Sequence, residues 1–437
     1  MSDSNCDIDR RTWLKLGMAG VVSGLLPMPS YSESRQSTAK IVVVGVGAAG
    51  LAVANRLTRE LPNARITVIG KQASHFYQPG FTLVASGLWD ACKVETSTKE
   101  WLPPSVHWLQ QDVAEFDPDH NRLFLENRVP VDYDLLVIAT GCQLNYGEIE
   151  GMAPELIGQH GIGSVYAGPQ AAAATNEMVS SLIAKGAGRA IFTLCHTPLK
   201  CAGAPIKFAF TSLSRVMDET NRKNYQFDFF SPYPQTVFAV PAYNDFVLQR
   251  WQQQDVKTHF SHKLVAIAPE HKRAVFATPD GQHEEYYDFI HVVPPMSAPD
   301  VVRNSPLAWQ SGKFSGWLEV DQYSLQHRRY ANVFGIGDVI GTPFGKTAAS
   351  VKLQAPVVEA NLLAYLEERP LPAAYNGYTS CPLITAVGTA ILAEFGYEGK
   401  LLPSFPFIDP LEESWLVWVM KEKMLQPAYY AMLNGRV

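Results

Sequence analysis

Lys40-Ile41-Val42-Val43-Val44-Gly45-Val46-Gly47-Ala48-Ala49-Gly50 is a run of apolar, β-branched residues that breaks into a glycine-rich turn. From Ala48 to Glu60 the pattern becomes helical, so the order is strand, turn, helix. In that context Gly-x-Gly-x-x-Gly reads as a dinucleotide-binding turn. Gly45 permits the tight turn, Gly47 lets the backbone approach a pyrophosphate, and Gly50 allows close helix packing. Ala48 and Ala49 stand at the helix start, where unpaired amides attract phosphate. A purely structural glycine turn is the competing reading. The acidic residue that usually ends the second strand and holds a ribose is missing, since Gly70 and Lys71 stand there.

Outward from this turn, Arg65 to Ile69 and Asp134 to Ala139 are further buried-type strands, the second ending at Thr140-Gly141. Strands alternating with helices specify a parallel α/β sheet. Between 151 and 300 the pattern restarts with an Ala-rich helix (Ala171 to Ala184), a strand (Ala190 to Leu194) and the apolar runs Thr236 to Val240 and Phe289 to Val293. Asn332 to Asp338 returns to a strand followed by an acid, and beyond Pro356 the chain is rich in aromatics, Leu and Pro. The expected fold class is α/β, with two Rossmann-like dinucleotide-binding domains and a C-terminal membrane-associating region. The first domain takes 40–150 and 301–355, the second 151–300, and the C-terminal region 356–437.

The 437 residues are 47% hydrophobic and 18% charged, enough for two or three packed domains. A net charge of -6 and no basic run interleaved with aromatics argue against nucleic acid as a partner. The six cysteines, Cys6, Cys92, Cys142, Cys195, Cys201 and Cys381, are too scattered for a disulfide scaffold, and none has zinc-site spacing, so no metal is expected. Arg10-Arg11 precedes an apolar stretch from Leu16 to Leu26 that is too short to span a bilayer. Residues 1–36 therefore read as a Tat export signal, which implies a periplasmic protein peripheral on the membrane.

Four further segments carry a resemblance: His75-Phe76-Tyr77-Gln78-Pro79, Thr197-Pro198-Leu199-Lys200-Cys201-Ala202-Gly203-Ala204-Pro205, Leu325 to Tyr330, and Tyr378-Thr379-Ser380-Cys381-Pro382-Leu383. In this order, from about Lys40 to the C-terminus, they resemble the sulfide:quinone oxidoreductases of the mitochondrial-like type. The resemblance implies FAD, held by the glycine turn together with Gly141 and Asp338, the latter at the ribityl or pyrophosphate part. It also implies flavin contacts from Gln78, Val113, Lys346, Thr347, Ala348 and Ala349. By the same resemblance Cys201 and Cys381 form a redox disulfide beside the flavin. Sulfide attacks one sulfur while the other leaves as thiolate. Hydrogen sulfide, a membrane quinone and a small sulfur acceptor are the implied partners.

Each assignment has a plainer rival. Asp338 would serve as a helix N-cap, Lys200 and Lys207 as surface charges rather than thiolate-stabilising cations, and Cys201 and Cys381 as inert buried thiols. Cys6, Cys92, Cys142 and Cys195 are read as non-catalytic. Leu411, Trp415, Trp418 and Val419 fall on one helical face beside Lys421 and Lys423, which suits an interfacial helix or a packing stripe. On the interfacial reading, residues after Asp409 can be removed without loss of FAD. The rival functions are a flavocytochrome c sulfide dehydrogenase flavoprotein, a non-catalytic flavin sensor, and an NADH:quinone oxidoreductase, which needs a second glycine-rich loop where this chain has Cys195 to Cys201.

Overall fold

Lys40–Val44 forms the middle of a five-stranded sheet whose order is Val333–Gly335, Leu135–Ile138, Lys40–Val44, Arg65–Ile69 and His107–Leu109. Every pairing in it is parallel. Four of the five residues of Lys40–Val44 are buried, as are all of Leu135–Ile138, because helices cover the sheet. The structure, a computed structural model, describes residues 37–436. The Tat reading falls on residues 1–36 and so lies outside the described residues.

A second five-stranded sheet, also parallel, is built wholly between 162 and 291, in the order Ile162–Gly163, Phe289–His291, Gly188–Thr193, Tyr225–Phe230 and Val256–His259. Its Tyr225–Phe230 strand differs from the expected run at 236–240, which is a loop. There Asn244 accepts hydrogen bonds from the Val237 and Phe238 amides with its side-chain oxygen. The chain then returns to the first sheet through Val333–Gly335 and enters the helix Ala348–Leu366.

That helix leads to an antiparallel hairpin, Thr379–Ala386 with Thr389–Phe395, which packs on the helix Ala204–Glu219. The chain closes with Trp415–Val419, a π turn at Met420–Met424, and Leu425–Leu433. The last helix lies against Ala48–Glu60 of the dinucleotide domain. Tyr430 stacks on Trp101 at 4.5 Å, and Tyr429 Oη lies 2.8 Å from His75 Nε2. Among the described residues no helix is long and apolar enough to cross a membrane.

The expected apolar stripe divides. Trp418 is 9% exposed and Val417 is buried, whereas Trp415 is 68% exposed and Phe407 73%. Of the other stripe residues Leu411 is exposed and Val419 half-buried, while Val417 and Phe407 lie outside the stripe. Packing against the Thr389–Phe395 strand takes one side of the short helix, and the other side remains for solvent or a membrane.

Candidate active site

A cavity of about 1050 Å³ runs between the two sheets and the hairpin, and the glycine turn forms one wall. Gly45 has φ +119, and a Cβ there would sit 2.3 Å from the Ala139 carbonyl oxygen. At Gly50 a Cβ would fall 1.9 Å from the Gly45 oxygen. Both glycines are therefore required by close backbone approach. A Cβ at Gly47 would meet nothing within 4 Å, so this edge of the turn faces open space. The helix beginning at Ala48 has no side-chain cap, which leaves its first amides free toward the cavity.

Ala48, Ala49, Gln78, Gly141, Asp338, Lys346, Thr347, Ala348 and Ala349 all line the cavity with Gly45 and Gly47. Gly50 supports the turn from behind. Val113 is buried in the antiparallel strand Val113–Asp117 and is not among the lining residues. Asp338 caps no helix: Thr347 caps Ala348–Leu366, its hydroxyl accepting from the Ser350 amide. Burial raises the Asp338 carboxyl above its ordinary value, against the pull of Lys200 and Lys346. Lys346 donates to the Asp338 and Ile340 carbonyls, and burial lowers it to about 8.

Cys201 and Cys381, 180 positions apart, meet in this cavity. They are thiols here, close enough for each to change the proton affinity of the other. Cys201 has φ +48, a conformation that non-glycine residues adopt at a cost. Its amide donates to the Lys346 carbonyl at 3.0 Å, and its own carbonyl accepts from Ala204 N at 2.8 Å. The thiol thus stands at the N-terminus of Ala204–Glu219, where the helix dipole favours an anion. Lys207 is buried and donates from Nζ to Cys201 Sγ at 3.5 Å.

The Cys201 thiol lies well below its ordinary value, through the hydrogen bond from Cys381 and the charges of Lys207 and Lys421, which outweigh burial. Cys381 is correspondingly raised by its bond to Cys201 and by burial. One sulfur is prepared as thiolate and the other as thiol. Lys200 points elsewhere, donating to Gln78 Oε1 at 2.8 Å. Lys421 was not read as a site residue, yet it is 2% exposed, donates to the Pro79 carbonyl, and is pulled down to about 7 by burial and by Lys207. No sequence signal joins Lys421 to Cys201; the π turn that carries it was the only available hint, and that appears only in the fold.

Residues 39–186 match the pyridine nucleotide-disulphide oxidoreductase family. The chain is 35% identical, over 90% of its length and 86% of the relative's, to the mitochondrial sulfide:quinone oxidoreductase of Mus musculus. It is 36% identical, over 95% and 91%, to that of Dictyostelium discoideum. The chain belongs to the sulfide:quinone oxidoreductase family. The solved sulfide:quinone oxidoreductase of Aquifex aeolicus shares its fold, with a TM-score of 0.75 at 19% identity over 91% of this chain and 92% of that one.

FAD is the cofactor of sulfide:quinone oxidoreductases, and the cavity fits it. Thr140 Oγ1 and Tyr77 Oη are buried there without a hydrogen-bond partner, beside the uncapped helix and the open edge at Gly47. Where the ribose acid is usual, a Cβ on Gly70 would lie 2.9 Å from Val46, and Lys71 is paired with Asp112. The Tat-exported, periplasmic localisation read from Arg10-Arg11 is corrected by the relatives, which are mitochondrial proteins. Basic residues ahead of a modest apolar stretch occur in more than one kind of targeting segment, so the motif alone does not choose among them.

Proposed function

We propose that this chain oxidises sulfide at the Cys201–Cys381 pair and reduces a quinone in the same cavity. The supporting observation is the pair itself: two thiols brought to one cavity from 180 positions apart, with Lys207 donating to the Cys201 sulfur. In the oxidised state, hydrosulfide attacks Cys381 Sγ and the Cys201–Cys381 bond breaks. A sulfur–sulfur bond forms on Cys381 while the electron pair of the broken bond leaves on Cys201. Lys207 and the helix N-terminus hold the resulting Cys201 thiolate. Bound FAD supplies the two-electron acceptor that links this sulfur chemistry to the quinone. The persulfide sulfur then passes to a small nucleophilic acceptor.

The residues proposed to hold FAD are those of the glycine turn with Gly141, Asp338, Gln78 and the segment Lys346 to Ala349. We assign 40–150 and 301–355 to the FAD domain, 151–300 to the second domain and 356–437 to the C-terminal region, a division supported by the membership of the two sheets. The exposed surface around Phe407 and Trp415 is proposed to rest on a membrane, from which the quinone comes.

In the test, Cys201→Ser and Cys381→Ser are purified with FAD and mixed with sulfide. Both should keep the flavin spectrum and lose at least ~100-fold in sulfide-driven bleaching, the scale of losing an activated nucleophile. Near-normal bleaching in either variant defeats the assignment. Wild-type protein should reduce a short-chain quinone in preference to cytochrome c; the reverse preference would favour the flavocytochrome reading.

A further inference from the structure

In the hairpin, Cys381 lies opposite Ala393 and Ser380 lies opposite Glu394. Side chains alternate along a strand, so Cys381 projects from one face while Ser380 and Glu394 project from the other. The second face carries a buried carboxylate that the sulfur chemistry does not use. Glu394 is 3% exposed, and among the described residues no salt bridge includes it. It accepts hydrogen bonds from Tyr378 Oη, from Ser404 Oγ at 2.7 Å and from the Ser404 amide at 2.8 Å. Tyr378 Oη and Ser404 Oγ are themselves 3.2 Å apart. Tyr378, Glu394 and Ser404 all line the cavity, and of the three Ser404 is the exposed one. A carboxyl group held between two hydroxyls, with no cation beside it, can take a proton from one and give one to the other.

We propose that Ser404, Glu394 and Tyr378 form a proton relay from solvent to a quinone in the cavity, whose lining also includes Leu401, Leu402 and Phe405. The proposal rests on the quinone-reducing reading above and adds where the protons come from. Reducing a quinone to a quinol takes two electrons and two protons. The electrons come from sulfide by the proposed activity. For each proton, the Tyr378 hydroxyl gives its hydrogen to the quinone oxygen and takes another from the Glu394 carboxyl. Glu394 is then reprotonated from water through the Ser404 hydroxyl. Each passage breaks one O–H bond for every one it forms, no electrons move within the relay, and two passages complete the quinol. Leu401, Leu402 and Phe405 line the cavity, and the same segment runs on to the exposed Phe407, which gives a lipophilic quinone an apolar approach.

The test compares two acceptors in rapid mixing with FAD-loaded Glu394→Gln and Tyr378→Phe. Sulfide-driven bleaching of the flavin should stay near the wild-type rate in both. Recovery of the flavin colour with a short-chain quinone should slow by about 100-fold, the lower range for losing general acid catalysis. Recovery with ferricyanide, which accepts electrons without protons, should stay near wild type. Equal slowing with both acceptors would mark a structural role and overturn the relay, as would unchanged recovery with quinone. If the buried variants fail to fold, Ser404→Ala at the exposed end should still slow only the quinone step, and an unchanged rate there overturns the proposal. Wild-type protein unable to reduce quinone at all would overturn the underlying reading, a failure visible before any variant is made.

Discussion

Cys201 stands three residues ahead of the helix Ala204–Glu219 in a left-handed conformation, and Lys207 reaches back from the second turn of that helix to its sulfur. The hydrogen bond from Cys381 comes first in keeping Cys201 anionic, followed by the two lysines. The sign of a charge removal follows. Without the Lys207 ammonium, the thiolate loses an attractive charge and its proton is held more tightly. Lys207→Met should therefore raise the pH midpoint of Cys201 alkylation by about 1–3 units, the usual effect of one close opposite charge. The check is the rate of iodoacetamide labelling against pH in the reduced, FAD-loaded protein. A midpoint that does not move would show Lys207 to be a bystander. Lys207 was legible in the sequence as a candidate because it flanks Cys201 closely in sequence. Lys421 was not, because only tertiary packing brings it there across 220 positions.

At the scale of elements, hydrophobic pattern was a good guide where strands are buried on both faces. Lys40–Val44, Arg65–Ile69 and Leu135–Ile138 are uniformly apolar runs or nearly so, and they lie where the sequence places them. Tyr225–Phe230 escaped notice because Asp228 interrupts it. That carboxylate is fully buried with Arg189 and His259, which come from other strands, bonding it at 2.7 and 2.8 Å, and with Gln226 donating from its own strand. A residue pattern cannot show a charge neutralised at long range. The C-terminal helix gave the opposite error: its aromatics suggested an appendage, yet Leu425–Leu433 helps wall the cofactor cavity. Arg59 donates to the Asn434 carbonyl at 3.1 Å and also to that of Gly435, binding this helix to the one that follows the glycine turn. Ending the chain at Met424 should therefore strip FAD as well as lower the melting temperature. The Tyr430–Trp101 stack alone is worth about 0.5–1.5 kcal/mol beyond its buried area. Flavin absorbance after gel filtration decides the matter, and a truncated chain that keeps its full FAD content would restore the appendage reading.

For the whole molecule, one hairpin presents Cys381 on one face and Glu394, bonded to Tyr378, on the other, and the proposed sulfur and quinone chemistries divide between them. The segment that follows the hairpin runs past Ser404 to the exposed apolar surface. Phe407 and Trp415 are its most exposed members, and nothing within the described chain covers them. A side chain moved fully from water into an apolar phase gains about 1.5–3 kcal/mol, so two such residues contribute enough to change membrane partitioning by well over tenfold. The double variant Phe407→Glu with Trp415→Glu should lose at least about tenfold in cosedimentation with liposomes by that estimate. It should keep FAD and sulfide-driven bleaching, because neither residue lines the cavity. Trp418 is the wrong residue for this test, since its burial means that a glutamate there would damage packing. Tyr286→Glu, on the exposed strand Gly281–Tyr286 of the other domain, serves as the control and should bind as wild type does. Turnover with a long-chain quinone dissolved in the bilayer should fall with binding, while turnover with a water-soluble short-chain quinone persists. If the double variant still binds liposomes and uses the long-chain quinone at the wild-type rate, the membrane face lies elsewhere on the molecule.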